Sequence, residues 1–402
     1  MKTILYITYD GLTDQVGQSQ ILPYVIELEK LGYKFHILSC EKEHILNEKK
    51  SEILSLLEGK NIQWHSILFH SKPPIVAKLY DLHLLKKEAN RICSQHKINI
   101  IHCRSYVAAE IGYLFKKKYG TRFLFDMRGF WVDERVDGGI WNKKSLLGKF
   151  LYKRYKRKEA NYINTSDAIV SLTFAGQREI QRWDSYANAP ITVIPCAADF
   201  SFFEVNTPEK KEKAKKILGV AENALAVGYL GSLGTWYMLP ELLKFYNAVL
   251  KKFPEAYFIF LTATPAHEIE RAAKELVIDT SKLIIKKATK KEVSQLVCAF
   301  DVSPLFIKPL YSKIASSPIK MGELSALGIP MIGNKIGDVE EIIQATKCGL
   351  LVDDFSELSF AKVVDALPQL LTIESRTIRI NAQPIWDLTV GVKKYDSVYK
   401  GL

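Results

Sequence analysis

Two charged residues near the start of a predicted short helix, Lys320 and Glu323, could together bind an anion and a pair of hydroxyl groups. Amides in the first turn of a helix lack partners within the helix and lie at the positive end of its dipole, so they attract phosphate groups. Lys320 adds a full positive charge there, and the Glu323 carboxylate can accept hydrogen bonds from two ribose hydroxyls. A phosphate and a ribose together indicate a nucleotide.

The helix that must position this pair is predicted from its own end signals. Ser316 or Ser317 can cap it, Pro318 suits its first turn, and Gly328 is a stop signal. A glycine within a helix costs about 1 kcal/mol relative to alanine, so Gly322 suggests a close approach of another group to the backbone. The alternative is an exposed ion pair of Lys320 with Glu323, worth a few tenths of a kcal/mol.

The run Ser-Pro-x-Lys-x-x-Glu-x-x-Ala-x-Gly-x-Pro at 317–330, with Gly-Asp-Val-Glu-Glu-Ile-Ile at 337–343, resembles the donor-binding segment of the family 4 glycosyltransferases. The resemblance implies an α/β chain of the GT-B fold, in which two Rossmann-like domains face one another. It also implies a nucleotide-sugar co-substrate and transfer with retained anomeric configuration. Many members carry two glutamates separated by seven residues. Here the second is Glu323, whereas Ala315 stands in place of the first, which leaves the donor's identity open.

A glycine-rich turn is the second predicted part of the donor site. Gly231 and Ser232 follow a predicted strand at 225–230, where such a turn can bring backbone amides close to a phosphate. Relatives often have an arginine and a lysine near this turn, which this chain lacks, so Lys320 with Lys308 or Lys313 would supply the charge. The resemblance implies a donor site of these residues: Gly17, Gly231, Ser232, Ser316, Ser317, Pro318, Lys320 and Glu323.

The first part of the chain predicts a parallel sheet. A strand at 3–8, a helix after Gly17 and a strand at 33–39 form a βαβ unit. The connecting loop, 10–20, lacks the pattern Gly-x-Gly-x-x-Gly, which argues against a dinucleotide-dependent dehydrogenase. This loop resembles the glycine-containing first loop of the glycosyltransferases; the alternative is a plain turn between a strand and a helix.

Charged and aromatic residues crowd the segment after a predicted strand at 122–126. Ligands of open α/β sheets bind at the carboxyl ends of the strands. In many relatives a histidine and a glycine stand where Arg128 and Gly129 stand here, so no catalytic histidine is assigned. The acceptor-side candidates are Asp14, Arg104, Asp126, Arg128, Asp133 and Glu134, and the catalytic candidates are Lys320, Arg128 and Asp126. The alternative is a structural network of ion pairs.

Residues 141–158 are predicted to form a basic amphipathic helix, with eight lysines and arginines at 143–158. Each basic residue near an anionic leaflet is worth about 1 kcal/mol, so this helix could lie on a membrane surface. The alternative is a core helix with a solvated basic face. The net charge of +12 also suits nucleic acid, but no nucleic-acid motif accompanies it, and no nucleic-acid partner is expected.

The 402 residues suffice for two domains. The resemblance implies an acceptor-binding domain at 1–203, completed by a C-terminal helix at 384–402 that crosses back to it, and a nucleotide-sugar-binding domain at 204–383. Ile385 to Tyr399 should form that helix, with Trp386, Val390, Tyr395 and Tyr399 on its apolar face. No apolar run is long enough to span a membrane, and the first strand does not look like a secretory signal.

The six cysteines have no metal-ligand spacing and there is no Asp-x-Asp motif, so neither a metal nor another cofactor is expected beyond the co-substrate, a UDP- or GDP-sugar. Together these observations predict a metal-independent retaining glycosyltransferase that acts on a glycan or a lipid-linked acceptor. It would serve bacterial surface polysaccharide or glycolipid synthesis, in the cytoplasm or on the inner face of the membrane. Two alternatives stay open: a nucleotide-sugar epimerase of the same fold, and a non-catalytic binding protein.

Overall fold

The chain forms two compact units. The computed structural model describes residues 1–402, apart from the side chains of Pro74 and Lys290. The first unit comprises Met1–Cys196 with Leu388–Leu402, and the second comprises Ala197–Asp387. The domain limits expected from the sequence, 203 and 384, lie a few residues from these boundaries. The acceptor and donor roles assigned to the two domains stay predictions.

The first unit alternates strands and helices along the chain. Its strands are β1 (Thr3–Thr8), β2 (Lys34–Glu41), β3 (Ile62–Leu68), β4 (Ile100–Arg104), β5 (Arg122–Asp126), β6 (Ala168–Ser171) and β7 (Ile191–Val193). Its helices are α1 (Gln15–Gln20), α2 (Leu22–Lys30), α3 (Glu43–Leu57), α4 (Pro74–Gln95), α5 (Ser105–Tyr119), α6 (Trp131–Asp137), α7 (Leu146–Thr165) and α8 (Phe174–Gln181).

The strands of the first unit pair in parallel in the order β3-β2-β1-β4-β5-β6-β7. The apolar runs of β1, β4 and β5 are almost completely buried, as expected for strands that helices cover on both faces. The chain order reverses between β1 and β4, which are neighbours although β2 and β3 come between them in the sequence. Ligands of open α/β sheets bind at such a reversal, beyond the carboxyl ends of the strands.

The second unit repeats this architecture on a smaller scale. Its strands are β8 (Ala226–Leu230), β9 (Tyr257–Leu261), β10 (Leu283–Lys286), β11 (Ser303–Leu305), β12 (Met331–Asn334) and β13 (Gly349–Val352). Its helices are α9 (Pro208–Leu218), α10 (Leu239–Lys252), α11 (Ala266–Glu275), α12 (Lys290–Leu296), α13 (Ile319–Leu327), α14 (Val339–Thr346), α15 (Glu357–Leu370) and α16 (Ser375–Trp386). Short 3₁₀ helices occupy Val297–Ala299 and Tyr311–Ala315.

Parallel pairing in the second unit joins β10-β9-β8 and β11-β12-β13. A single parallel bridge between Val227 and Val302 links the two sets at β8 and β11. The order therefore becomes β10-β9-β8-β11-β12-β13, which is a Rossmann-like sheet. The described residues contain no helix whose length and apolar content would suffice to cross a bilayer.

The end of the chain forms two helices rather than the predicted one. After α16 the backbone is extended at Asp387, and α17 (Leu388–Gly401) then packs in the first unit. Tyr395 and Tyr399 are buried there, as predicted. The prediction for Trp386 was wrong, because this side chain is 1% exposed within the core of the second unit. The break at Asp387 separates the two environments.

Candidate functional site

Lys320 lies in an aromatic cage in the second unit. It is the second residue of α13, and its side chain crosses to the end of β8. The Nζ atom donates a hydrogen bond to the Tyr229 hydroxyl (2.9 Å) and lies 4.2 Å from the ring centroid of Tyr229. It lies 3.6 Å from the ring centroid of Tyr237. Two ring faces and one hydroxyl thus surround an ammonium group that is only 9% exposed.

The surroundings of Lys320 weaken its hold on the proton. Burial lowers the pKa of this amine to about 7, although the negative charge of Glu323 acts in the opposite direction. Near neutral pH the amine therefore gives up its proton more readily than an exposed lysine does. An anion bound beside Nζ would stabilise the charged form and raise the pKa again.

Gly231 and Lys320, predicted together from distant parts of the sequence, are neighbours. Gly231 has a positive φ of 93°, which glycine adopts without strain, and a Cβ at this position would lie 3.4 Å from Lys320 Nζ. The turn after β8 thus brings backbone against the amine. Ser232 follows at the surface, and its carbonyl accepts a hydrogen bond from the Tyr229 hydroxyl (3.1 Å).

The start of α13 differs from the prediction in one respect. Pro318, not a serine, occupies the N-cap position, and its side chain makes no capping hydrogen bond. The prediction that Ser316 or Ser317 caps the helix was therefore wrong; both residues are half-buried in the extended segment before it. The Met321 amide donates to the Pro318 carbonyl (3.1 Å). The start of α13 is the positive end of its dipole, which favours a bound anion.

Gly322 serves packing rather than ligand approach. A Cβ on this residue would lie 3.2 Å from the Cβ atoms of Ala198 and Trp386. Helix α13 therefore packs closely on α16 and on the segment that opens the second unit. The sequence prediction of a close approach holds, but the approaching group belongs to the protein core.

Two further lysines lie near the glycine-rich turn. Lys313 Nζ lies 3.6 Å from the ring centroid of Trp236, a residue of this turn. The Lys308 amide donates to the Trp236 carbonyl (2.9 Å), and the Lys308 side chain is exposed. Ala315, at the position of the missing glutamate, is 2% exposed in its 3₁₀ helix. Of the two cations predicted to support Lys320, Lys313 thus lies against this turn, whereas Lys308 contacts it through its backbone.

Asp126 is the centre of a buried polar network in the first unit. Its side chain is fully buried, and Oδ2 accepts a hydrogen bond from the Tyr395 hydroxyl of α17 (2.9 Å) and lies 3.4 Å from His102 Nε2. Arg128 Nη1 lies 3.8 Å from Oδ1. Burial opposes ionisation, but the charge of Arg128 and the contact with His102 hold the pKa of Asp126 at about 2. The Asp126 carboxylate is therefore ionised, and Arg128 and His102 stabilise its charge inside the protein.

Arg128 and Arg104 both lie at the carboxyl edge of this sheet with hydrogen-bonding capacity unused. Arg128 has a positive φ of 57° and donates from Nη2 to Cys196 Sγ (3.1 Å). Arg104 Nε donates to Asp10 Oδ2 (3.3 Å). Arg128 Nε and Arg104 Nη1 are buried and have no acceptor among the described residues. Because buried donors are seldom left without a partner, an oxygen-rich ligand is a natural acceptor for them.

Asp133 and Glu134 lie in the first turn of α6. Asp133 is buried and accepts hydrogen bonds from Tyr152 (2.9 Å) and Lys156 (3.2 Å), both of α7. These contacts fix α6 against α7. For Asp133 they favour the alternative given from the sequence, a structural network of ion pairs. Glu134 is half-buried.

The first loop holds Gly17 and Asp14 for different reasons. A Cβ at Gly17 would lie 2.1 Å from the Gly11 carbonyl, so glycine is needed where α1 packs on the loop. Gly17 is buried, and this packing accounts for it without a ligand. Asp14 precedes α1 and pairs with Lys42 (3.0 Å). The roles of both residues toward substrates stay predictions.

Comparison with known proteins identifies the first half of the chain. Residues 22–202 match the model of the family described as Glycosyltransferase Family 4. A D-inositol 3-phosphate glycosyltransferase from Corynebacterium urealyticum is 24% identical over 228 residues, which cover 55% of this chain and 52% of that protein. A protein of the same name from Corynebacterium jeikeium is 21% identical over 283 residues, covering 68% and 64%. The chain thus spans between half and two thirds of these relatives.

Solved structures share the fold of the whole chain. Sucrose-phosphate synthase from Thermosynechococcus elongatus has a TM-score of 0.72 at 12% identity and covers 100% of this chain and 98% of its own. HepE from Anabaena, in complex with UDP and glucose, has a TM-score of 0.71 at 14% identity and covers 100% of both chains. These likenesses confirm the predicted α/β GT-B fold, and the match over 22–202 supports the resemblance to family 4. The match does not extend to the donor motif at 316–343, whose role stays a prediction.

Sequence reasoning missed two buried carboxylates of the family 4 region. Glu41, at the end of β2, accepts hydrogen bonds from the amides of Leu12 (2.7 Å) and Thr13 (3.2 Å) and so fixes the first loop. Asp81 lies 2.6 Å from His70 Nδ1, and the His70 ring is partly exposed just beyond β3. A polar residue shortly after the predicted strand at 33–39 was the available signal for Glu41. No strand was predicted before His70, and Asp81 lies within a helix, so neither offered a signal.

The described residues contain no cluster of three or more histidine, cysteine, aspartate or glutamate side chains that could hold a metal ion.

Proposed function

We propose that this chain is a retaining glycosyltransferase that moves a sugar from a UDP- or GDP-sugar to an acceptor, without a metal ion. The observation that carries the proposal is the position of Lys320 at the start of α13, where Tyr229 and Tyr237 surround it and the Gly231 turn lies beside it. A bound diphosphate would supply the negative charge that this buried amine lacks and would stabilise its protonated form.

The donor diphosphate is the leaving group, so negative charge develops on its β-phosphate during transfer. Lys320 Nζ and the first-turn amides of α13 would stabilise that charge, and fixed donors of this kind need no reorganisation during the reaction. In retaining enzymes of this type the departing phosphate helps to deprotonate the acceptor, so no separate base is assigned. HepE is described as a complex with UDP and glucose, which makes UDP-glucose the first donor to test.

Glu323 is proposed to hold the ribose of the donor. It lies one turn beyond Lys320 on α13, half-buried and close enough to influence the lysine's pKa. Glu323→Ala should weaken donor binding about 30-fold, or about 2 kcal/mol, because a charged hydrogen-bond partner is lost. Titration calorimetry with the donor measures this change. Glu357→Ala, at an exposed site of α15, is the control, and unchanged binding in Glu323→Ala would end the assignment.

The acceptor is proposed to bind the first unit at the carboxyl edge of β4 and β5. Arg104 and Arg128 offer buried N–H groups to its oxygens, and Asp126 holds Arg128 in position. Asp14, Asp133 and Glu134 are secondary candidates on this side. We propose a glycan or lipid-linked acceptor, in bacterial surface polysaccharide or glycolipid synthesis; one relative of the same fold is a lipopolysaccharide outer core galactosyltransferase.

The basic residues 143–158 are proposed to hold the enzyme on the inner face of an anionic membrane. Reversing the charges at Lys153, Arg154 and Arg157 should lower binding to anionic liposomes without changing donor affinity, because each basic residue near the surface contributes about 1 kcal/mol. Liposome sedimentation and donor titration on the same variant provide the two measurements. Unaltered sedimentation would mean that the basic face of α7 is only solvated.

One experiment separates the proposal from its alternatives. UDP-, GDP- and ADP-sugars are offered with membrane lipid extract, with and without EDTA, and diphosphate release is followed. Release that requires the acceptor and persists in EDTA supports metal-independent transfer. Isomerisation of the sugar alone would support an epimerase. No reaction with any donor would favour a binding protein, for which the alanine at position 315 is the best argument.

A further inference from the structure

The first turns of α4 and α7 expose large apolar side chains to an unusual degree. Ile75, Val76, Leu79, Leu147 and Phe150 are each 61% exposed, and Leu146 is 87% exposed. These six residues are called the apolar tip. Scattered apolar residues on a surface are ordinary, but a cluster of this size marks a surface that binds another apolar phase.

A chain of contacts through aromatic rings connects the two helices that carry the apolar tip. Lys78, in the exposed turn of α4, places Nζ 4.2 Å from the ring centroid of Trp131. The Trp131 ring contacts that of Trp141 (5.6 Å between centroids), which in turn contacts Tyr155 of α7 (5.1 Å). The rings therefore connect the second turn of α4 with Tyr155 of α7, which lies about 7 Å along the helix from Phe150. Both tryptophans are only partly buried.

The charge around the apolar tip selects its partner. Residues 71–80 contain two lysines and no acidic residue, and residues 140–158 contain eight basic residues and no acidic residue. Apolar side chains flanked by lysine and arginine, with tryptophan at the border, match the layers of an anionic bilayer: hydrocarbon, interface and headgroups. A protein partner would need an apolar face with an equally strong negative rim.

We propose that the apolar tip inserts into the hydrocarbon boundary of an anionic membrane, with α4 and α7 entering together. The basic residues then lie among the headgroups, and Trp131 and Trp141 lie at the interface. This inference deepens the proposed function, on which it rests for its purpose, and goes beyond adsorption of the basic face of α7. It requires α4, which carries little charge, to contribute as much to binding as α7.

Insertion and electrostatic adsorption differ in their response to salt. Attraction between exposed charges is largely screened at about 0.5 M salt, whereas burial of apolar groups is not. We therefore expect binding to anionic vesicles to weaken at high salt but to persist. Variants of the apolar tip should lose this salt-resistant part.

The test measures sedimentation with phosphatidylglycerol–phosphatidylcholine vesicles at low and high salt. Two double variants are compared: Val76→Glu/Leu79→Glu in α4 and Leu147→Glu/Phe150→Glu in α7. The affinity of each for the vesicles should fall at least about tenfold, because a carboxylate cannot enter the apolar layer. Leu358→Glu on α15, where leucine is 68% exposed in the second unit, is the matched control and should bind as the parent does. Since all these sites are exposed, thermal melts should coincide.

Three results would overturn the inference: no vesicle binding by the parent, unchanged binding by both double variants, or complete loss of the parent's binding at high salt. A parent that is dimeric by sedimentation velocity, and that becomes monomeric in both variants without losing vesicle binding, would also overturn it in favour of a second copy. None of these results bears on the proposal that Lys320 binds the donor. Conversely, failure of sugar transfer would leave the vesicle result standing, so the two proposals fail separately.

Discussion

Replacing Lys320 with methionine is expected to lower kcat/KM for sugar transfer about 100-fold or more, because the variant removes the cation placed where charge develops on the leaving phosphate. Loss of a preorganised donor to such a charge typically costs about 100- to 1,000-fold in rate. Steady-state kinetics with the donor identified in the panel provide the measurement, and titration calorimetry separates donor binding from turnover.

Methionine keeps most of the volume that the lysine stem fills between Tyr229 and Tyr237. Burial disfavours the charged amine, so its removal should leave the folded protein at least as stable as the parent, and the thermal midpoint should not fall. Lys362→Met, on the exposed face of α15, is the control for loss of a lysine as such. Activity within a few-fold of the parent in Lys320→Met would remove this residue from the site.

Local signals predicted several strands and helices but not all, and β3, α3 and α4 were not predicted. The strands at Thr3–Thr8 and Arg122–Asp126 coincide with the apolar runs that predicted them. Such runs predict strands well, because a strand that helices cover on both faces is apolar along its whole length. The start of α13 was predicted to within a residue, but its N-cap residue was not. A serine caps a helix only when it occupies the N-cap position, and here Pro318 occupies it.

Contacts between distant residues could not be predicted. The cage of Lys320 needs Tyr229, 91 positions earlier, and Asp126 is held by Tyr395, 269 positions later. No periodicity links such pairs, because the fold alone brings β8 to α13 and α17 to β5. The resemblance supplied Gly231 and Lys320 as members of one site, but it did not supply the aromatic rings that decide the lysine's charge.

The two kinds of pattern located different halves of the protein. The donor motif carried the predicted resemblance at 316–343, in the second unit, whereas the family 4 match covers 22–202, almost entirely in the first. Short motifs stand out where a few residues must touch a ligand, and family models respond to weak agreement over many positions. Together they assign both units to one fold.

Donor affinity is expected to fall as pH rises above neutrality. In the empty site burial holds the pKa of Lys320 at about 7, and a bound diphosphate favours the protonated amine, so binding takes up a proton above that pH. Affinity should be constant below about pH 6 and should weaken about 100-fold between about pH 6 and pH 9. Titration of a nucleotide sugar across this range measures the slope.

The other groups that face this amine are Tyr229, Tyr237 and Glu323. Burial raises the pKa of Tyr229 far above the range of the titration, so its hydroxyl keeps its proton. Lys320→Arg is the decisive comparison, because an arginine remains charged throughout and should give a nearly flat profile. A parent profile as flat as that of the arginine variant would contradict the prediction. It would mean that Lys320 is already charged in the empty site, because the aromatic rings stabilise the protonated amine.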